Sequence, residues 1–200
     1  MRKLLELGLK QMEKLLQEMG ETTIECANSI EKILDREWDN IEDKSSKLHI
    51  LREEIIDIAT ELLVRYQPVA SDLRYIQASI DVSYDLYRIS RYAMEIERTI
   101  KITNPNCEFR DVKNALKTVN EMIKTAVEAF LSKDELLVGK LIEMDTKIDR
   151  RYIDSIKALK EQPDLCKAVE ALIIRHLERI SDHAKYIGGA TIYVKNGKRI

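Results

Sequence analysis

Turn-forming residues are scarce in this sequence. Six glycines and three prolines in 200 residues leave too few sharp reversals for a protein built of many short strands, so long helices are expected. Cysteine is nearly absent: Cys26, Cys107 and Cys166 lie far apart, and none forms a CxxC pair. That spacing argues against a disulfide framework or a zinc ribbon and for a reducing, cytoplasmic setting. No uncharged apolar run approaches the ~18 residues that cross a bilayer. The start Met1-Arg2-Lys3-Leu4-Leu5 meets Glu6 and Lys10 too soon for a signal peptide. Direct membrane insertion is therefore not expected. Charge of one sign is also missing, since 33 basic and 35 acidic residues leave a net charge of -2. No basic field is available for nucleic acid, and no acidic tail is present. The chain lacks a GxGxxG or GxxxxGK[ST] phosphate loop, a recognisable Ser or Cys nucleophile context and the Glu-x-x-His pairs of a ferritin-like di-iron site. A conventional enzyme is not expected.

What remains is a helical pattern. Hydrophobic residues make up 44% of the chain and charged residues 34%, which suits a folded domain with a real core. Apolar spacing predicts six helices, at about residues 4–34, 46–65, 69–103, 108–131, 133–161 and 164–194. A charged, Trp-containing break covers residues 35–40, and Gln67-Pro68, Asn104-Pro105-Asn106 and Gln162-Pro163 mark others. Ser132 with Glu135 reads as a capping box for the fifth helix, and Asn196-Gly197 as the end of the sixth. Gly188-Gly189, inside the sixth helix, reads as a kink or a close approach.

The two halves are alike. The Gln-Pro breaks sit 95 residues apart, and Leu86-Tyr87-Arg88-Ile89-Ser90-Arg91-Tyr92-Ala93 parallels Leu177-Glu178-Arg179-Ile180-Ser181-Asp182-His183-Ala184 at an offset of 91. The fold class that follows is all-α: six long helices in a tandem repeat of two three-helix bundles, residues 1–104 and 105–200.

The sixth helix carries an apolar stripe of Val169, Ile173, Leu177, Ile180, Ala184 and Ile187. Glu178 and Asp182, four apart, share another face and are expected to stand open to solvent. Asp145 and Asp149 form a matching pair on the fifth helix. Side-by-side packing of the two helices would gather four carboxylates, which are hard ligands suited to Mg²⁺, Mn²⁺ or iron. A solvated acidic face, partly neutralised by Arg175, Arg179 and Lys185, is the competing reading.

Leu177-Glu178-Arg179-Ile180-Ser181-Asp182-His183-Ala184 resembles the E(D)xxxD signature in the last helix of each repeat of the PhoU family. Asp145-Thr146-Lys147-Ile148-Asp149 is similar to the matching segment of the preceding helix, and Gln67-Pro68-Val69-Ala70-Ser71-Asp72-Leu73-Arg74 to the start of the third. The resemblance covers nearly the whole chain. It implies a cytoplasmic negative regulator of phosphate uptake that works with a phosphate ABC transporter and a sensor histidine kinase. It also implies iron or another divalent metal (Mg, Mn or Zn) on Asp145, Asp149, Glu178 and Asp182. The first repeat departs from the pattern. Tyr87 and Arg91 replace the two acids, and Ser45 and His49 stand where the preceding helix would offer Asp. Tyrosine and arginine cannot ligate a hard cation, so metal is expected in the second repeat only.

The third helix is apolar on two faces. One line runs Tyr75, Ala78, Val82, Leu86, Ile89, Ala93, Ile96; the other runs Val69, Leu73, Ile76, Ile80, Tyr84, Tyr87. Either the helix is sandwiched within its own chain, or the second line, with Tyr84, Tyr87 and Arg91, binds a partner or a second copy in a homodimer. Two other functions stay in view. One is a metal-dependent phosphohydrolase built on the four acids; the other is a histidine-phosphotransfer bundle using His176.

Overall fold

The computed structural model describes residues 2–199. Six helices run in chain order: α1 (Arg2–Leu34), α2 (Ile41–Tyr66), α3 (Ala70–Thr103), α4 (Arg110–Ser132), α5 (Leu136–Glu161) and α6 (Leu165–Asn196). The all-α expectation holds. α2 begins five residues earlier than the apolar spacing suggests, because Asn40 caps it. The Asn40 side chain accepts a hydrogen bond from the Asp43 amide at 3.1 Å, and Glu42 and Asp43 occupy the first turn, where the helix dipole favours negative charge. Asp164 caps α6 in the same way, accepting from the Lys167 amide at 2.8 Å. Gly197, at φ +71°, ends α6 in the left-handed conformation.

The expected capping box at the start of α5 does not form. Ser132 is the last residue of α4, and its hydroxyl donates back to the Glu128 carbonyl at 2.6 Å. The left-handed residue that ends α4 is Lys133, and Asp134 accepts from the Leu136 amide instead. α4 simply ran one residue further than its apolar pattern required.

The helices group as α1–α2–α3 and α4–α5–α6. The halves meet where α3 packs on α6 and α1 on α4. α3 and α6 are antiparallel: Tyr193 donates to Gln77 at 2.7 Å near one end, and Asp85 meets His183 further along. α2 and α5 do not touch each other. They flank a groove whose floor is α3 and α6. The α6 stripe from Val169 to Ile187 is at most 1% exposed at the six positions named above. Each large apolar side chain of this kind contributes about 1.5–3 kcal/mol. Two glycines permit close approach. A Cβ on Gly20 of α1 would lie 2.6 Å from Val127 of α4, and one on Gly188 of α6 would lie 2.8 Å from Leu141 of α5. Gly188 therefore marks close packing, and α6 is unbroken there.

The duplication is visible in matched hydrogen bonds. Ser90 of α3 donates to Ser45 of α2 at 2.9 Å, and its counterpart Ser181 of α6 donates to Asp145 of α5 at 2.8 Å. The α3–α6 interface carries the same relation. Asp85 faces His183, while the equivalent positions pair His176 with Tyr92, ring centroids 6.1 Å apart.

α3 is enclosed by α1, α2 and α6, so most of its second apolar line is covered from within the chain. Ile76 is fully buried, whereas Tyr84 is 46% and Val69 75% exposed. The sandwich explains the bulk of the double apolar pattern, and Ile80 and Tyr84 are the residues of that line left facing the groove.

The Cys107 and Cys166 sulfurs are bonded, with the Cα atoms 5.7 Å apart. This corrects the expectation drawn from cysteine spacing. The pair joins the segment between α3 and α4 to the first turn of α6, a proximity created by the bundle and invisible in a count of residues between cysteines.

Candidate functional site

α5 and α6 bring the four acids of the second repeat onto one ridge. Their setting differs from the open face expected. Asp145 is 4%, Glu178 7% and Asp182 9% exposed, because α5 lies close against α6 and basic side chains cover the rest. Arg179 holds Glu178 through two bonds, at 2.7 and 2.8 Å, and reaches Asp182 at 2.9 Å. Arg175 adds a third bond to Glu178 at 2.7 Å. Lys185 stands between the two helices, bonded to Asp145 and 3.4 Å from Asp182, while Ser181 donates to Asp145. Burial draws the Lys185 pKa down, but the bond to Asp145 and the charges of Asp145 and Asp182 outweigh it, so the net shift is upward.

Asp149 is left without such compensation. Burial, and then the charges of Asp145, Glu178 and Asp182, hold its carboxyl above the ordinary 3.8, against Lys185 alone. A carboxyl raised in the native state binds protons more readily folded than unfolded, so its contribution to stability falls as pH rises past 3.8. Asp149→Asn is therefore expected to stabilise the protein slightly at pH 7, the effect being small because solvent screens the site. The gain should vanish near pH 3. Urea denaturation at the two pH values measures this, and equal shifts at both would contradict it.

This arrangement does not fit a hard divalent cation. Three of the four carboxylates are already paired with ammonium or guanidinium groups, and Lys185 takes the bridging position between α5 and α6 that an ion would need. Among the described residues, no three Asp, Glu, His or Cys side chains converge as a metal-holding group. In the first repeat, Ser45 is buried against Ser90, and His49 packs on Tyr87 at 5.6 Å between ring centroids. Tyr87 thus faces its own α2. Arg91 points an Nη1 at Met94 Sδ, 3.6 Å away.

The groove between the flanking helices holds residues that sequence reasoning passed over. It encloses about 760 Å³ and is lined by Ile80, Tyr84, Val138, Ile142, Tyr186 and Tyr193, with Arg52 and Lys185 among its cations. Under it, His183 Nδ1 lies 2.7 Å from Asp85 Oδ1. Burial holds the Asp85 carboxyl above its ordinary range, opposed by the hydrogen bond and charge of His183. Tyr84, Tyr92 and Tyr186 surround the His183 ring at 6.2, 5.6 and 5.7 Å. Asp85 had a signal in the sequence: an acid set between Val82, Leu86 and Ile89 on a buried stripe requires a partner. His176 is partly buried with Nδ1 unpartnered, and burial lowers its pKa.

The PhoU domain family model matches residues 2–100 and again 112–191. The chain belongs to the PhoU family. Its relatives among curated proteins include the phosphate-specific transport system accessory protein PhoU homolog of Archaeoglobus fulgidus, 29% identical over 170 residues and spanning 85% of this chain and 81% of that protein. PhoU homolog 1 of Thermotoga maritima is 27% identical over 208 residues, covering 98% of this chain and 88% of its own. Among solved structures, the phosphate transport system regulatory protein PhoU from Streptococcus pneumoniae superimposes with a TM-score of 0.86 at 22% identity, over 98% of this chain and 99% of that one. PhoU from Pseudomonas aeruginosa does so at 0.75 and 23% identity, over 98% and 97%. These two establish the PhoU fold of the duplicated bundles. No helix among the described residues is long and apolar enough to cross a membrane.

Proposed function

We propose that this PhoU-family chain regulates phosphate uptake by reversible binding to a phosphate ABC transporter and a sensor histidine kinase. The relatives' names supply the phosphate transport system. The observation that carries the binding reading is the contrast between the two surfaces. The acids that could have organised chemistry are consumed in internal ion pairs, while tyrosines and arginines, the residue types that anchor interfaces, stand in an open groove. Tyr84 is the exposed member of the candidate set Tyr84, Tyr87 and Arg91.

The same ion pairs weigh against a phosphohydrolase. Asp145, Glu178 and Asp182 would have to shed Lys185, Arg175 and Arg179 before activating water on a metal. Any tuning of partner binding by iron or another divalent ion would require the same release.

Purified protein is expected to co-elute with the detergent-solubilised phosphate transporter of its own cell. It should show no phosphate-ester turnover with Mn²⁺ or Fe²⁺. Failure to bind both transporter and kinase, or metal-dependent turnover abolished by Asp145→Asn, would overturn the reading.

A further inference from the structure

We propose that the groove floored by α3 and α6 docks an acidic amphipathic helix of the partner protein. The inference rests on the reading that this chain works by protein binding, and it names the surface and the chemistry of what fits there.

The groove has an apolar wall and a cationic, aromatic rim. Ile80, Val138 and Ile142 form the wall, an area suited to the apolar stripe of a helix presenting residues at i, i+3 or i+4, and i+7. Tyr84 and Tyr186 stand half exposed, at 46% and 52%. Rigid aromatics of this kind give contact area at small entropic cost. The groove stays open because α2 and α5 flank it without meeting, which admits a helix more readily than an enclosed small molecule.

Charge selects the partner's sign. Arg52 lies 5.7 Å from the Tyr84 ring centroid; its Nη1 bonds the exposed Glu53 at 2.8 Å, and its Nε is buried without a hydrogen-bond partner. Arg199 lines the same groove over Tyr193, at 4.7 Å. Of the acids there, Asp85 is engaged by His183, leaving Asp81 and Glu53, the partner of Arg52, as the opposing charges. The acidic ridge of α5 and α6 offers no relief, since its own bases neutralise it. An arginine face of this kind favours carboxylates on the incoming helix and rejects a basic one.

The test uses the full chain and the solubilised phosphate transporter, with binding followed by interferometry and a benzoylphenylalanine photocrosslinker placed at position 186. The variant Arg52→Glu combined with Tyr186→Ser is expected to bind at least tenfold more weakly, with unchanged circular dichroism and melting temperature. The crosslink should map to an acidic amphipathic segment, and the synthetic peptide of that segment should bind the wild type. Wild-type binding that the double variant leaves intact would overturn the groove while the regulatory reading stands. A crosslink to a second copy of this chain, or to a basic segment, would also overturn it. If the wild type binds neither transporter nor sensor kinase, the regulatory reading fails and the docking inference falls with it.

Discussion

Reduction of the Cys107–Cys166 disulfide is expected to destabilise the protein by up to about 4 kcal/mol, the chain-entropy value for a loop of roughly this length. The bonded cysteines are 59 residues apart, so the crosslink removes many conformations from the unfolded chain. The native arrangement should survive its loss. The neighbouring segment is held independently, by Arg36 bonding the Pro105 carbonyl at 2.6 Å and Asn104 Oδ1 at 3.1 Å, and by burial of Phe109. The whole effect then appears as a fall in melting temperature of about 8–16 °C, at 2–4 °C per kcal/mol for a domain of this size. Calorimetry with and without a phosphine reductant measures it, and a Cys107→Ser, Cys166→Ser double variant should match the reduced protein.

Thiol counting supplies the control. Cys26 is buried, and burial pushes its thiol up to about 12, so it should stay silent toward thiol reagents in the native state. Unreduced protein should show one reactive thiol on unfolding. Three would mean that the disulfide is absent. The result also bears on compartment, because disulfides form and persist mainly in oxidising ones.

The Cys107–Cys166 bond depends on the packed bundle and not on the spacing of cysteines along the chain. Helix number, boundaries and duplication are local or periodic properties. Gln67-Pro68, Asn104-Pro105 and Gln162-Pro163 interrupt apolar spacing, and the 91-residue offset was legible because Arg-Ile-Ser recurs in register. Pairing across the bundle is a different kind of information. Nothing near Cys107 announces that α6 starts beside it, just as nothing near Asp85 announces His183. The acids at 145, 149, 178 and 182 were found by spacing, but their burial was not, because a helical wheel records which face a residue shares and not how closely the next helix approaches. Gly188, by admitting Leu141, is part of what brings α5 that close. The groove escaped notice for a similar reason: it is made by the separation of α2 from α5, and separation leaves no mark on either helix alone.

Lys185→Met is expected to cost about 3 kcal/mol and to create a cation site that the wild type lacks. Removing one partner of a buried ion pair commonly costs about 3–5 kcal/mol; the lower end applies because the Lys185 side chain is 32% exposed, although that of Asp145 is only 6% exposed. Without the ammonium, Asp145 faces Asp149, Glu178 and Asp182 with only Arg175 and Arg179 remaining to balance them. The pH dependence has a fixed sign. The native pKa of Lys185 lies above its ordinary 10.5, so its stabilisation is fully present below 10.5 and is lost as pH rises through the native value. The gap between wild type and variant should therefore be constant from neutral pH to about pH 10 and narrow above it. Mn²⁺ supplies the second readout. A divalent ion that binds only the folded variant raises its melting temperature by mass action, and carboxylate oxygens from α5 and α6 are suitable ligands once the bridging position is vacant. Millimolar Mn²⁺ should restore much of the lost stability to Lys185→Met and leave the wild type unmoved. A wild type that gains as much from Mn²⁺ as the variant would show that the ion displaces Lys185, and that the ammonium does not close this ridge to a metal.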